Sequence, residues 1–180
     1  MAGVAFGCAC GAVSGRVDPC TRHSGTHVQC FCTDCRRADL HLDQPDPANS
    51  GVGLFITTAD TVSFATGTDQ LACFQLSRSG PLRWYAACCT TPLFNTSPKR
   101  QFPFVAVHVG RLVDRDVLGP VKLRTFRPSG NGRSRHSGNP IAFFQVVGRV
   151  LSARVTGRWR KTPFFDKVSG RPIIAPQRVT

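Results

Sequence analysis

The sequence predicts a mainly β protein: short, twisted antiparallel sheets with one helix near the C-terminus. Three observations carry this. Apolar residues come in short runs broken by Gly, Pro and polar turns, as in an all-β chain rather than a layered α/β one. Several of these runs are rich in β-branched and aromatic residues. One stretch, 141–159, instead repeats its apolar residues at helical spacing.

The elements follow in order. Residues 11–17, GAVSGRV, set Ala12, Ser14 and Arg16 against Val13, Gly15 and Val17 on the opposite face. Residues 52–57 and 61–65 read as strands around a turn at Thr58-Ala59-Asp60. Residues 71–76, LACFQL, and 82–86, LRWYA, are two more, joined by the turn sequence Ser-Arg-Ser-Gly-Pro. Residues 104–109, FVAVHV, form another strand. Residues 43–51 and 127–140 read as loops, the second long, basic and rich in Gly and Ser. Asn139 is a good N-cap and Pro140 suits the first helical position. Behind them Phe143, Phe144, Val147, Val150, Leu151 and Val155 form a stripe expected to cover an open sheet face, interrupted by Gly148 and Gly157.

At 180 residues and 41% hydrophobic, the chain suits one domain with a real core. No apolar run approaches the roughly 20 residues that span a bilayer. The opening MAGVAFGCAC lacks the basic start and long apolar stretch of a signal peptide, so the expectation is a soluble cytoplasmic protein without a membrane partner. The net charge is +13 and uneven. Residues 1–98 hold six Lys/Arg and seven Asp/Glu; residues 99–180 hold seventeen and three. The C-terminal half could attract nucleic acid or another anionic partner. Arginine richness also arises from genomic base composition, so charge alone names no partner.

Nine cysteines without an export signal point to metal ligation or redox chemistry rather than a disulfide framework. Seven are grouped: Cys8 and Cys10; Cys30, Cys32 and Cys35 in CFCTDC; Cys88 and Cys89. Zinc takes four thiolates in a closed structural site. Cys8 and Cys10 with Cys88 and Cys89 fit that count, although adjacent residues of a strand face opposite ways and would need a turn. CFCTDC offers three thiolates from one loop, the usual protein share of a catalytic zinc with an open position. Arg36 and Arg37 follow and favour the thiolate form. A redox switch is the minority reading of these three. Cys20 and Cys73 read as ordinary small residues and His108 as structural. His23 and His27 read as solvated loop residues within possible reach of the open position. Asp34 and Asp39 are candidate hydrogen-bond acceptors or a base.

Taken together, CACGAVSGRV, CFCTDCRRAD and RWYAACCTTPLFN resemble the glutathione-dependent formaldehyde-activating enzyme family, which includes the centromere protein V domain. The resemblance spans roughly residues 4–113. It implies a beta-tent zinc fold, a structural zinc held by Cys8, Cys10 and the later pair, and a second, functional zinc at Cys30, Cys32 and Cys35. It also implies carbon–sulfur lyase chemistry on a thiol adduct such as S-hydroxymethylglutathione. The family's later pair reads C-x-x-C-G. Here Ala86 stands at its first ligand position, Cys89 keeps the second, and Cys88 is the available substitute. The expected organisation is a zinc-binding β domain over 1–126, with a basic loop, helix and tail over 127–180 packed on it. The favoured function is a zinc-dependent enzyme on a small thiol such as glutathione, with Arg36, Arg37 and Arg83 as anion contacts. The alternative is a non-catalytic zinc-stabilised module whose basic C-terminal half binds nucleic acid or an acidic partner.

Overall fold

The computed structural model describes residues 3–129 and 133–179. Its elements are β1 (Val4–Gly7), β2 (Ser14–Val17), β3 (Thr26–Cys30), α1 (Thr33–His41), β4 (Val52–Thr58) and β5 (Val62–Thr66). There follow β6 (Leu71–Gln75), β7 (Leu82–Ala86), β8 (Thr91–Thr96), β9 (Phe104–His108), β10 (Leu123–Pro128), β11 (Ser134–Gly138), α2 (Pro140–Val155) and β12 (Gln177–Arg178). The fold is mainly β, as expected. β1, β2 and β5 form a small sheet, and the other nine strands form a large one in the order β11-β10-β3-β4-β9-β8-β7-β6-β12.

The core lies between the sheets. Phe6, Val13, Val17 and Val62 meet Phe55, Trp84, Phe94, Val105 and Val107, and Phe164 from the C-terminal tail completes the cluster. Phe6 meets Phe94 edge-on at 4.9 Å between ring centroids, and Phe164 lies 5.2 Å from Trp84. Gly15 is required by this packing. A Cβ there would stand 2.1 Å from the Ser63 carbonyl oxygen and 2.5 Å from the Phe6 ring.

Strand alternation decides what faces the other way. In β7, Leu82, Trp84 and Ala86 enter the core, so Arg83 emerges on the opposite face of the large sheet. Cross-strand pairing aligns Phe74, Arg83, Asn95, Ala106, Ile56 and Thr26 in one row across that face. Both helices cover it: Ala38 of α1 and Leu42, its C-cap, pack with Phe74, and α2 lies over β3, β4 and β10.

Four expectations are corrected. The sheets are not wholly antiparallel: β10 runs parallel to β3 and β12 parallel to β6, because neither follows its neighbour through a hairpin. The described parts of the stretch 127–140 are not a loop. β10 and β11 pair across it as a hairpin on the large sheet, with 130–132 outside the described residues. The three cysteines of CFCTDC do not share one loop, since Cys35 lies in α1. Finally, α2 is turned the other way. It packs through Ala142, Val150 and Ala153, while Phe143, Phe144, Val147, Leu151 and Val155 are exposed. Small residues let the helix approach the sheet, and the Arg149 guanidinium donates to the Thr26 hydroxyl. The Asn139 cap holds as read, its Oδ1 accepting from the Ile141 amide at 2.9 Å. The helix stops short of residue 159 because Gly157 takes a left-handed φ of 75°.

Candidate metal centres

Cys30 ends β3, Cys32 caps α1, and Cys35 sits in the first turn of that helix. The capping sulfur of Cys32 accepts the Cys35 amide at 3.3 Å, the role an Asp or Ser oxygen usually plays. Alignment of the peptide dipoles favours negative charge at this helix end. The three sulfurs lie within 4.8 Å of one another, with Cys30 and Cys32 at 3.4 Å. Cys30 and Cys35 are buried and Cys32 is half-buried. Hydrogen bonding with Cys32, and then with Cys35, draws Cys30 down to about 2. The same bonds push Cys32 and Cys35 up, Cys35 the further. Three thiolates together need a positive ion between them.

The second group is assembled from distant segments. Cys8 and Cys10 lie between β1 and β2, and Cys88 and Cys89 lie in the turn between β7 and β8. All four sulfurs fall within 4.8 Å of one another. Cys10 and Cys88 approach to 3.3 Å, Cys8 and Cys10 to 3.5 Å. Neighbouring thiols at 88 and 89 can converge because residues 87–90 form a turn, with Thr90 at a left-handed φ of 50°. The Val13 amide donates to the Cys8 sulfur at 3.2 Å, and Thr91 Oγ1 lies 3.0 Å from the Cys89 sulfur. Ala86 is wholly buried in the core, so Cys88 is the residue at hand for the fourth place. Both groups could hold a metal ion.

A cleft of about 360 Å³ opens beside the three-cysteine group. Its floor is the outer face of the large sheet, including Leu54, Ile56, Ala106 and Arg83. Cys30, Cys32, Asp34 and Cys35 line its edge, as do Phe126 and Phe143. Arg83 is 5% exposed, and its Nη1 donates to Asn95 Oδ1 at 3.3 Å.

The remaining candidates divide. Arg36 is drawn away into an exposed two-bond ion pair with Asp46, at 2.7 and 2.8 Å, and Arg37 is also exposed. Neither lines this cleft. His27 Nδ1 pairs with the Gly119 carbonyl at 3.0 Å, and His23 Nε2 accepts from Arg22 at 3.0 Å; neither joins the sulfur cluster. His108 is buried, and burial together with Arg83 and Arg111 pushes its imidazole down to about 3. Burial pushes Asp39 up to about 6, against the pull of Arg83 and Arg111. Cys20 and Cys73 are buried packing residues. Asn95 and the apolar floor were missed by sequence reasoning. The strand alternation of LRWYA was the available signal, since it sets Arg83 apart from Leu82, Trp84 and Ala86.

Among known proteins, the profile of a family described as Family of unknown function (DUF6151) matches residues 1–175, and the chain belongs to that family. No curated protein matches it. A crystal structure of a Rhodobacter sphaeroides protein, a structural-genomics target, is similar at 21% identity, covering 65% of this chain and 96% of that one with a TM-score of 0.46. No helix among the described residues is long and apolar enough to cross a membrane.

Proposed function

We propose that this DUF6151 protein is a cytoplasmic zinc protein of the formaldehyde-activating kind, acting on the aldehyde adduct of a small thiol in a carbon–sulfur lyase reaction. The observation that carries this reading is the contrast in donors: a set of four sulfurs, and a set of three whose flank opens on a cleft. Sulfur-only donor sets suit zinc. Cys8, Cys10, Cys88 and Cys89 would hold a structural ion, and Cys30, Cys32 and Cys35 a functional one. Bound there, zinc supplies a Lewis acid that lowers the pKa of a thiol in its open position.

The chain's own groups account for the rest. The α1 N-terminus favours anionic sulfur beside Cys32. Arg83 and Asn95 hold the substrate's anionic end. Asp34, at the cleft edge, takes the hydroxyl proton of the adduct. The O–H electron pair then forms the carbonyl of formaldehyde, the C–S bond breaks, and its pair leaves on sulfur as thiolate. The reverse sequence forms the adduct.

The test is the rate of adduct formation from formaldehyde and a panel of thiols, with and without chelation. Acceleration above the spontaneous rate, lost on chelation, supports the reading; none with any thiol ends it. A second reading rests on the exposed β10–β11 hairpin, which presents Arg124, Arg127 and Arg135. It predicts nucleic-acid binding that weakens steeply with salt. No binding at low salt removes it.

A further inference from the structure

The cleft beside the three cysteines is not built like a glutathione site. Its exposed lining is overwhelmingly apolar, from Leu54, Ile56, Ala106, Phe126 and Phe143 among others. Glutathione carries two carboxylates, an ammonium and two amides. Burying those groups against aliphatic and aromatic walls without partners costs several kcal/mol. The cleft's size, about 360 Å³, is instead ordinary for a small apolar ligand fixed by a few polar contacts.

One such contact stands out. Arg83 is buried in mid-strand, and a buried guanidinium needs an anion. No carboxylate lies within ion-pair distance of it among the described residues. Its Nε is buried and has no hydrogen-bond partner. Asn95 takes a single donor from Nη1. Asp39 is the carboxylate that influences it, and Asp39 is shared with Arg111. That leaves one acid against two guanidiniums beside a neutral His108. Asp34, the acid that lines the cleft, is exposed on α1.

We propose that this cleft selects a thiol, or its aldehyde adduct, with an apolar body and a single carboxylate, the carboxylate being read by Arg83. The thiol half of this statement rests on the function proposed above; the carboxylate half does not. Arg83 here contacts the ligand, and the apolar floor between it and the cysteines sets what body is accepted.

The experiment uses the full chain loaded with cobalt as a spectroscopic reporter. Its probes are mercaptohexanoate, mercaptohexanol, glutathione and the thiol-free phenylbutyrate, followed by calorimetry and by the thiolate-to-cobalt absorption. In the unmodified protein mercaptohexanoate should bind at least about tenfold more tightly than either mercaptohexanol or glutathione, the worth of one charge-assisted pair. Phenylbutyrate should bind without perturbing the cobalt band. Arg83→Gln should remove the advantage of the carboxylate and weaken phenylbutyrate about tenfold, with mercaptohexanol binding unchanged. The ranking in the unmodified protein decides the matter even if the variant folds poorly. Glutathione binding as tightly as mercaptohexanoate, with both perturbing the cobalt band, overturns the inference and leaves the zinc–thiol reading standing. Phenylbutyrate binding that depends on Arg83, with no thiol reaching the cobalt, supports the carboxylate site and overturns the thiol-adduct function.

Discussion

The two sulfur clusters have the same donor atoms and the same compactness, yet the chain builds them in opposite ways. Cys30, Cys32 and Cys35 come from six consecutive positions and are placed by a strand end and a helix cap. Cys8 and Cys10 meet Cys88 and Cys89 across 78 or more residues, joining the small sheet to a turn of the large one. A local cluster constrains little chain, so its assembly is compatible with an open side. A long-range cluster closes a large loop, and a metal there removes much of the unfolded chain's freedom. On the function proposed above, the difference separates a centre for chemistry from one that holds the fold.

The largest expected effect comes from breaking the long-range cluster. Cys8→Ser should lose metal there and destabilise the fold by on the order of 4 kcal/mol, the scale of a cross-link closing a loop of this length. A thermal melt with and without chelator checks it; an unchanged midpoint would erase the contrast. Next comes the identity of the fourth ligand. Cys88→Ala should weaken metal binding at this cluster, at a cost of about 2 kcal/mol in the metal-loaded protein. Ala86→Cys should add no affinity, because residue 86 faces the core. Competition with a chromogenic chelator reads both.

The surroundings of the two clusters differ as well. The face of the sheet beside the local cluster buries His108, and Asp39 of α1 is half-buried. The His108 pKa is about 3 in the folded chain against about 6.5 unfolded, so the native state binds fewer protons between those values. Its share of stability is full above pH 6.5 and falls as pH drops toward 3. Asp39, raised to about 6, acts oppositely: its share falls as pH rises from about 4 to 6. His108→Gln should therefore flatten or reverse the loss of stability on acidification, a change on the order of 2 kcal/mol over that window. Urea melts at several pH values measure it, and parallel curves for the two proteins would count against it. The smallest effect on the fold belongs to the local cluster. Cys35→Ser should shift stability by less than about 1 kcal/mol in metal-free protein while lowering metal content.

Much of this was legible in the sequence. The cysteine spacings identified both groups, because ligand number and proximity are written directly in the chain. Alternation gave β4, β5, β6, β7 and β9 to within a residue or two, and Asn139-Pro140 gave the start of α2. What stayed hidden depends on neighbours. Nothing in TDCRRADLH has a strong apolar stripe; α1 forms where the Cys32 cap and the packing of Ala38 and Leu42 support it. The sequence RPSGNGRSRHSG has weak strand propensity, and its described parts become a hairpin because β10 pairs with the open edge of β3. The stripe of α2 was visible but not its direction, which small Ala142 and Ala153 decide by allowing close approach. The cleft could not be read, since its walls come from both helices and six strands.

Metal content tests the central claim most directly. Natively purified protein should carry two zinc ions per chain, and a Cys30→Ser, Cys32→Ser, Cys35→Ser triple variant should stay folded with one. A single zinc that survives the triple change would contradict the account, leaving the long-range cluster as the metal centre and the three local cysteines to a redox role.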